Sequence, residues 1–276
     1  MPIKTVSLAT IIEDDASSAA AIDYAIAFCD IERAHLSCRI AAPLLDLTTA
    51  RLLPLAQALV DQVNAERFAK ADETRGKIET AARISGVPFD CRIVQKPYAD
   101  ARADLAAAAK ASDFVILSQA KGLLSAETGI IESILFEAGR PVIVVPSDWS
   151  DGPIFKRIVI AWDGGARAAR AVGDAMPILA RADEVEVVCV VGDGGPSAAG
   201  AELAEHLARH CRNIRLTDLA LEHADAGLTL RAHLDGRRPD LLVMGAYAHS
   251  RLWQFVLGGV TKLMMNAANM PVLYSY

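Results

Sequence analysis

Along the chain, short apolar runs rich in β-branched residues alternate with longer alanine-rich stretches whose apolar positions recur at helical spacing. Residues 5–12, 35–42, 88–96, 113–117 and 141–145 read as strands, and 16–29, 98–112 and 127–138 as helices. The strand runs lack apolar/polar alternation, as expected of parallel strands covered on both faces. Between the second and third strands, residues 44–85 read as helical. Pro54 lies near a helix start there, and Asp61, Glu66, Lys70 and Glu73 form a solvated stripe. This helical insertion has no obvious counterpart later in the chain. Strands alternating with helices imply right-handed crossovers and therefore a doubly wound parallel α/β sheet.

After a turn-rich segment, SDWSDGP at 147–153, the plan repeats. Residues 156–162 parallel 4–10, residues 240–245 parallel 113–118, and the closing MPVLYSY parallels RPVIVVP at 140–146. In this second copy, 158–161, 185–191, 219–222, 241–244 and 271–274 read as strands, and 201–212, 227–234 and 260–269 as helices. Two domains are expected, 1–147 and 153–276, each a five-stranded Rossmann-like sheet. Their closing strands, 141–145 and 271–274, could pair edge to edge as an intrachain pseudo-dimer.

Candidate chemistry concentrates near the end. The apolar run 241–244 stops at Gly245, a small-residue loop follows, and Gly258-Gly259 precede a helix. Strand, glycine loop and helix start together offer backbone N–H groups and a positive helix end to a phosphate. The spacing Gly245, Ala248, Gly258, Gly259 resembles the ATP-binding signature of the universal stress protein family: Gly, two residues, Gly, nine residues, Gly, then Ser or Thr. Ala248 replaces the second glycine, at a cost of about 1–2 kcal/mol if that position needs a left-handed backbone. Gly259 replaces the hydroxyl residue, and one hydrogen bond to a charged group is worth about 1.5–3 kcal/mol. Thr261 could supply a hydroxyl nearby.

The resemblance implies a tandem stress-response protein that binds ATP, ADP or AMP, with magnesium as an optional companion. It places Asp163 beside the adenosine and Val190 against the adenine. Met244, Gly245, Ala248, Gly258, Gly259 and Val260 would meet the phosphates and ribose. Read from the residues alone, Asp163 followed by Gly-Gly and a helix is equally a helix cap, and Val190 in a buried strand needs no ligand. In the first copy, Ser118 and Lys121 stand at the first two glycine positions and no Gly-Gly precedes the helix. The stretch from Asp113 to Pro141 is also three residues shorter than that from Asp240 to Pro271. That half is expected to bind no nucleotide in the family's manner.

Other features are read more plainly. Glu13-Asp14-Asp15 suits a helix start, the glycine-rich 192–200 lacks a P-loop ending, and His206 and His210, one turn apart, show no third metal ligand. His249 in the loop has no carboxylate placed to orient it as an acid or base. Net charge −6 supplies no basic face for nucleic acid or an anionic membrane, and five cysteines without Cys-x-x-Cys spacing read as core fillers. The N-terminus lacks a charged region followed by an apolar core, and no run reaches about 18 apolar residues, so a cytoplasmic protein is expected. The function expected is nucleotide binding without catalysis, acting through a protein partner that the sequence does not identify; two chains could further associate. The alternatives are an interaction module of the same fold that holds no nucleotide, and an adenylate-forming enzyme, which the absence of Ser-Gly-Gly in 162–167 disfavours.

Overall fold

The computed structural model describes residues 2–12, 19–45, 54–122, 125–192, 197–222, 225–247 and 259–276. In the first half, strands β1 (Thr5–Ile11), β2 (His35–Ala41), β3 (Phe89–Val94), β4 (Phe114–Ser118) and β5 (Val142–Val145) alternate with helices α1 (Ala19–Glu32), α2 (Pro54–Ile84), α3 (Tyr98–Ala109) and α4 (Ala126–Glu137). In the second half, β6 (Arg157–Ala161), β7 (Glu184–Val191), β8 (Ile214–Ala220), β9 (Leu241–Gly245) and β10 (Val272–Ser275) alternate with α5 (Ala166–Leu179), α6 (Ala198–Leu207), α7 (Ala226–Arg237) and α8 (Gly259–Ala267).

The strands form one sheet in the order β3-β2-β1-β4-β5-β10-β9-β6-β7-β8. Neighbours within each half are parallel, while β5 and β10 pair antiparallel, with Leu273 opposite Ile143 and Tyr274 opposite Val142. The edge pairing expected of the closing strands is this seam. It makes the two five-stranded sheets a single ten-stranded one, because both closing strands are buried along their whole length and neither is left as a free edge.

Matched aspartates set equivalent registers in the two halves. Asp113 accepts from the backbone N–H groups of Lys4 (2.7 Å) and Thr5 (2.9 Å), and Asp240 from those of Lys156 (2.9 Å) and Arg157 (2.7 Å). Burial pushes the Asp113 carboxyl up, but the N–H donors and the Thr5 hydroxyl outweigh it and hold the group below the usual carboxylate range. With the ladders aligned, Ala161 stands where Ala9 stands, Trp162 where Thr10 stands and Asp163 where Ile11 stands.

An aromatic contact carries the core across the join. Phe28 of α1 packs edge-on against Phe155, in the segment leading to β6, at 5.8 Å, and Arg181 lies over that ring. Arg181 also pairs with Glu32 of α1. Further contacts cross the seam itself. The Gln119 amide, just after β4, donates to the Ala268 carbonyl at the end of α8 (2.9 Å), and the Tyr247 hydroxyl, just after β9, donates to Glu132 of α4 (2.7 Å).

Two expectations need correction. The helical stretch 44–85 is not an insertion without counterpart: its helix α2 is the β2–β3 crossover, 31 residues long, and α6, 10 residues long, is the equivalent β7–β8 crossover. Residues 46–53 of that stretch lie outside the described residues. The third strand of the second half is Ile214–Ala220 rather than 219–222. It is the outer strand of the sheet, so its residues alternate between half-buried and exposed instead of forming an apolar run.

Candidate functional site

The carboxyl ends of β6, β7 and β9 meet helices α5, α7 and α8 at the point where the strand order reverses, the usual ligand position in an open α/β sheet. Asp163 follows β6, and its Oδ1 accepts from the Gly165 N–H at 2.8 Å, so the carboxylate closes the turn that starts α5. Gly164 at the centre of that turn has φ +73°, where a side chain would be strained. Asp163 is exposed, and among the described residues its second oxygen has no partner. Asp163 therefore closes the turn ahead of α5 rather than capping the helix, whose N-cap is Gly165 without a side-chain cap bond, and one oxygen remains available to accept from a ligand.

Gly245 is glycine for a steric reason. A Cβ there would lie 2.7 Å from the Ala168 nitrogen and 2.8 Å from the Arg167 carbonyl carbon, in the first turn of α5. The end of β9 and the start of α5 touch backbone to backbone.

The opposite wall comes from α7 and α8. The Asp225 carboxylate accepts from the N–H groups of Gly227 (2.8 Å) and Leu228 (3.0 Å) and caps α7. Gly227 lets α8 approach, since a Cβ there would meet the Val260 Cα at 3.4 Å. Thr261, in the first turn of α8, is buried, and its hydroxyl accepts from the Tyr247 N–H at 3.1 Å. Tyr247 has a left-handed φ of 52°, a conformation costing about 1–2 kcal/mol. Its hydroxyl bond to Glu132 and its ring contact with Phe136, centroids 5.2 Å apart, hold it there. Burial first, and the adjacent Glu132 second, push the Tyr247 hydroxyl well above its ordinary pKa, so it remains a donor.

These elements enclose a cleft of about 900 Å³, open solvent included. Asp163, Val190, Met244, Gly245 and Val260 all line it. Gly259 opens α8 next to Val260. Ala248 and Gly258, like His249, Ser250 and Arg251, lie outside the described residues, as does Glu13-Asp14-Asp15. Trp162, Leu230 and Thr261 also line the cleft. Trp162 could have been found from its place beside Asp163 at a strand end; Leu230 carries no signal apart from a helical apolar position. The Trp162 indole N–H donates to the Ala199 carbonyl (3.1 Å), which fixes the ring at the rim.

The first half has a cavity at the matching place, lined by Ile11, Ser118, Glu127, Ile130 and Ile131 among others, of about 300 Å³. Ile11 occupies the position of Asp163. Ile130 and Ile131, as far before Pro141 as Val260 and Thr261 are before Pro271, enlarge the side chains there. The space is a third as large, and its rim carboxylate is replaced by an alkyl group.

Elsewhere, the five cysteines are free thiols. His206 and His210 rings lie 5.0 Å apart, and among the described residues no group of three or more His, Cys, Asp or Glu could hold a metal. No helix among those residues is long and apolar enough to cross a membrane.

A buried carboxylate lies on the cleft-side face of β7, toward its start. Glu186 is 3% exposed, accepts from the Thr217 hydroxyl (2.6 Å), and pairs with Arg237 Nε (3.2 Å) and His233 Nε2 (3.2 Å). Burial raises its pKa, but Thr217, His233 and Arg237 together lower it below the ordinary value. A depressed carboxyl pKa stabilises the fold above the unfolded value, and that contribution is lost as the pH falls below about 4.5 and through the folded value. Glu186→Gln should therefore flatten the acid limb of a melting-temperature profile measured from pH 6 to 3. An unchanged acid limb would mean that other carboxylates set it.

The sequence profile of the family described as "Universal stress protein family" matches residues 154–274. No curated protein matches the chain. Among solved structures, a universal stress protein from Archaeoglobus fulgidus DSM 4304 superposes with a TM-score of 0.75 at 15% identity, over 98% of this chain and 95% of that one. A protein of Pseudomonas aeruginosa UCBPP-PA14, provisionally assigned to the same family, superposes with a TM-score of 0.56 at 14% identity, over 99% and 93% of the two chains. At these identities the superpositions speak for the fold, and the profile speaks for the sequence of the second half. Residues 154–274 thus match the universal stress protein family by sequence, and nearly the whole chain shares the fold of the Archaeoglobus fulgidus universal stress protein.

Proposed function

We propose that the second half binds an adenine nucleotide, ATP, ADP or AMP, with magnesium as an optional companion, and that the protein works as a nucleotide-dependent binding module in a stress response. The observation that carries this reading is convergence: Asp163, Val190, Met244, Gly245 and Val260, singled out from separate stretches of sequence, line one cleft. Val188, Val190, Leu230 and Met244 give it apolar walls suited to a flat base, and the free oxygen of Asp163 suits ribose hydroxyls. The start of α8 lines the cleft through Val260 and Thr261, and the first N–H groups of a helix, which have no acceptor within it, suit a phosphate.

Binding rather than catalysis is proposed because Asp163 is the only ionisable side chain among the described residues lining the cleft. The competing reading, an interaction module without nucleotide, also has an observation in its favour. Close packing on α5 already accounts for Gly245, and the turn ahead of α5 already engages Asp163.

Nucleotide released by heating freshly purified protein, resolved by anion exchange, distinguishes the two. Near-stoichiometric adenine nucleotide supports binding; its absence, with no calorimetric signal on titration with ATP and magnesium, supports the module. Asp163→Ala should weaken nucleotide affinity about tenfold or more through the lost hydrogen bonds. Losing the turn bond to Gly165 should cost only about 1 kcal/mol of stability. Equal affinities in calorimetry would remove Asp163 from the site.

A further inference from the structure

The first half's cavity contains polar chemistry that the fold around it does not satisfy. Thr10 at the end of β1, Ser118 at the end of β4 and Glu127 in the first turn of α4 all line it, and they are 5%, 8% and 6% exposed. Thr10 Oγ1, Ser118 Oγ and Glu127 Oε2 are each buried with no hydrogen-bond partner. Buried polar atoms are nearly always paired in folded proteins, so three orphans around one cavity indicate where a partner sits. We propose that this cavity binds a small monovalent cation, of the size and charge of sodium, potassium or ammonium, held by the Glu127 carboxylate and the hydroxyls of Thr10 and Ser118.

Charge selects the class of ligand. A carboxylate inside the cavity repels anions, so this half has exchanged the phosphate preference proposed for its twin for the opposite one. Water would satisfy the hydroxyl groups but bring no charge to the buried carboxylate, which the positive end of α4 offsets only in part. A divalent ion would overcompensate a single negative charge, and it would lie beside the positive end of α4, whose first turn carries Glu127. Hydroxyl and carboxylate oxygens are the hard donors that such cations take. Size agrees: most of the 300 Å³ is open solvent and the shells around the lining atoms, and the part that the centre of a water-sized occupant can reach is about 20 Å³, room for about one.

The test uses the full chain dialysed into choline chloride and melted in sodium, potassium or ammonium chloride at constant ionic strength, with magnesium chloride as a further arm. At least one monovalent cation should raise the melting temperature saturably, by about 5–10 °C at a hundredfold excess over its Kd. Glu127→Gln should abolish that rise, and Ser118→Ala should weaken it about tenfold or more in Kd. Thallium(I) NMR of the wild-type protein should show line broadening reversed by the favoured cation, so the proposal is tested even if Glu127→Gln fails to fold. Equal melting in choline and in all three salts, the mark of an ordered water only, overturns the proposal. So does a response confined to magnesium, a rise that persists in Glu127→Gln, or the absence of reversible thallium broadening.

Discussion

Gly245→Val is expected to cost about 3 kcal/mol of stability, at the upper end for overpacked sites, and to abolish nucleotide release on heating. The added carbon would fall 2.7 Å from the backbone nitrogen of Ala168, and a backbone contact has no rotamer by which to escape. Relief requires α5 to move away from β9, and α5 begins at the turn that Asp163 closes. One substitution therefore loosens the packing and displaces the rim of the cleft. Urea unfolding combined with nucleotide release measures both effects. A variant of wild-type stability would show that the start of α5 yields freely, and the account of Gly245 as a packing glycine would fail. A variant that folds yet still carries stoichiometric nucleotide would count against the proposed site.

Leu273→Ala is the second large expectation, at about 2–5 kcal/mol, as for other fully buried leucines. Leu273 is fully buried on β10, opposite Ile143 of β5, at the one antiparallel ladder that joins the halves. Each kcal/mol should lower the melting temperature by roughly 2–4 °C in a chain of this size. The more informative readout is where the loss appears. Because one sheet runs through the seam, amide exchange should quicken in β4 and β5 as well as in β9 and β10. Faster exchange confined to β9 and β10 would mean that the halves unfold independently and that the ladder contributes little.

How much of this was legible in the sequence depends on what each residue answers to. The strands β1, β4, β5, β6 and β9 could be read because their apolar runs reflect burial on both faces, a property of the strand itself. The outer strand β8 could not be placed, because its alternation of Arg215, Thr217 and Asp218 with Ile214, Leu216 and Leu219 resembles a polar loop until its neighbour β7 is known. The lengths of α2 and α6 concealed their equivalence, since periodicity records a helix but not the two strands that it connects. The cleft was legible through Asp163, Val190, Met244, Gly245 and Val260 because a resemblance supplied their grouping; packing against α5, the actual steric reason for Gly245, was not. Glu127 and Thr10 gave no warning at all. A glutamate in a first helical turn ordinarily faces solvent, and only the three-dimensional closure of β1, β4 and α4 buries it.

The antiparallel seam has a geometric consequence. Strands in each half run parallel to their own closing strand, so the two halves point their carboxyl ends toward opposite margins of the sheet. Helix α4 starts beside one hollow with Glu127 and reaches, through Glu132, Tyr247, whose N–H is bonded to Thr261 of the other. Helix α8 starts beside the second hollow with Val260 and Thr261 and ends on Gln119, next to Ser118 of the first. The two helices are thus crossed pushrods, each with its head at one chamber and its foot at the far one. Were a ligand in one chamber to change affinity in its twin, thermodynamic reciprocity would require the same factor in both directions.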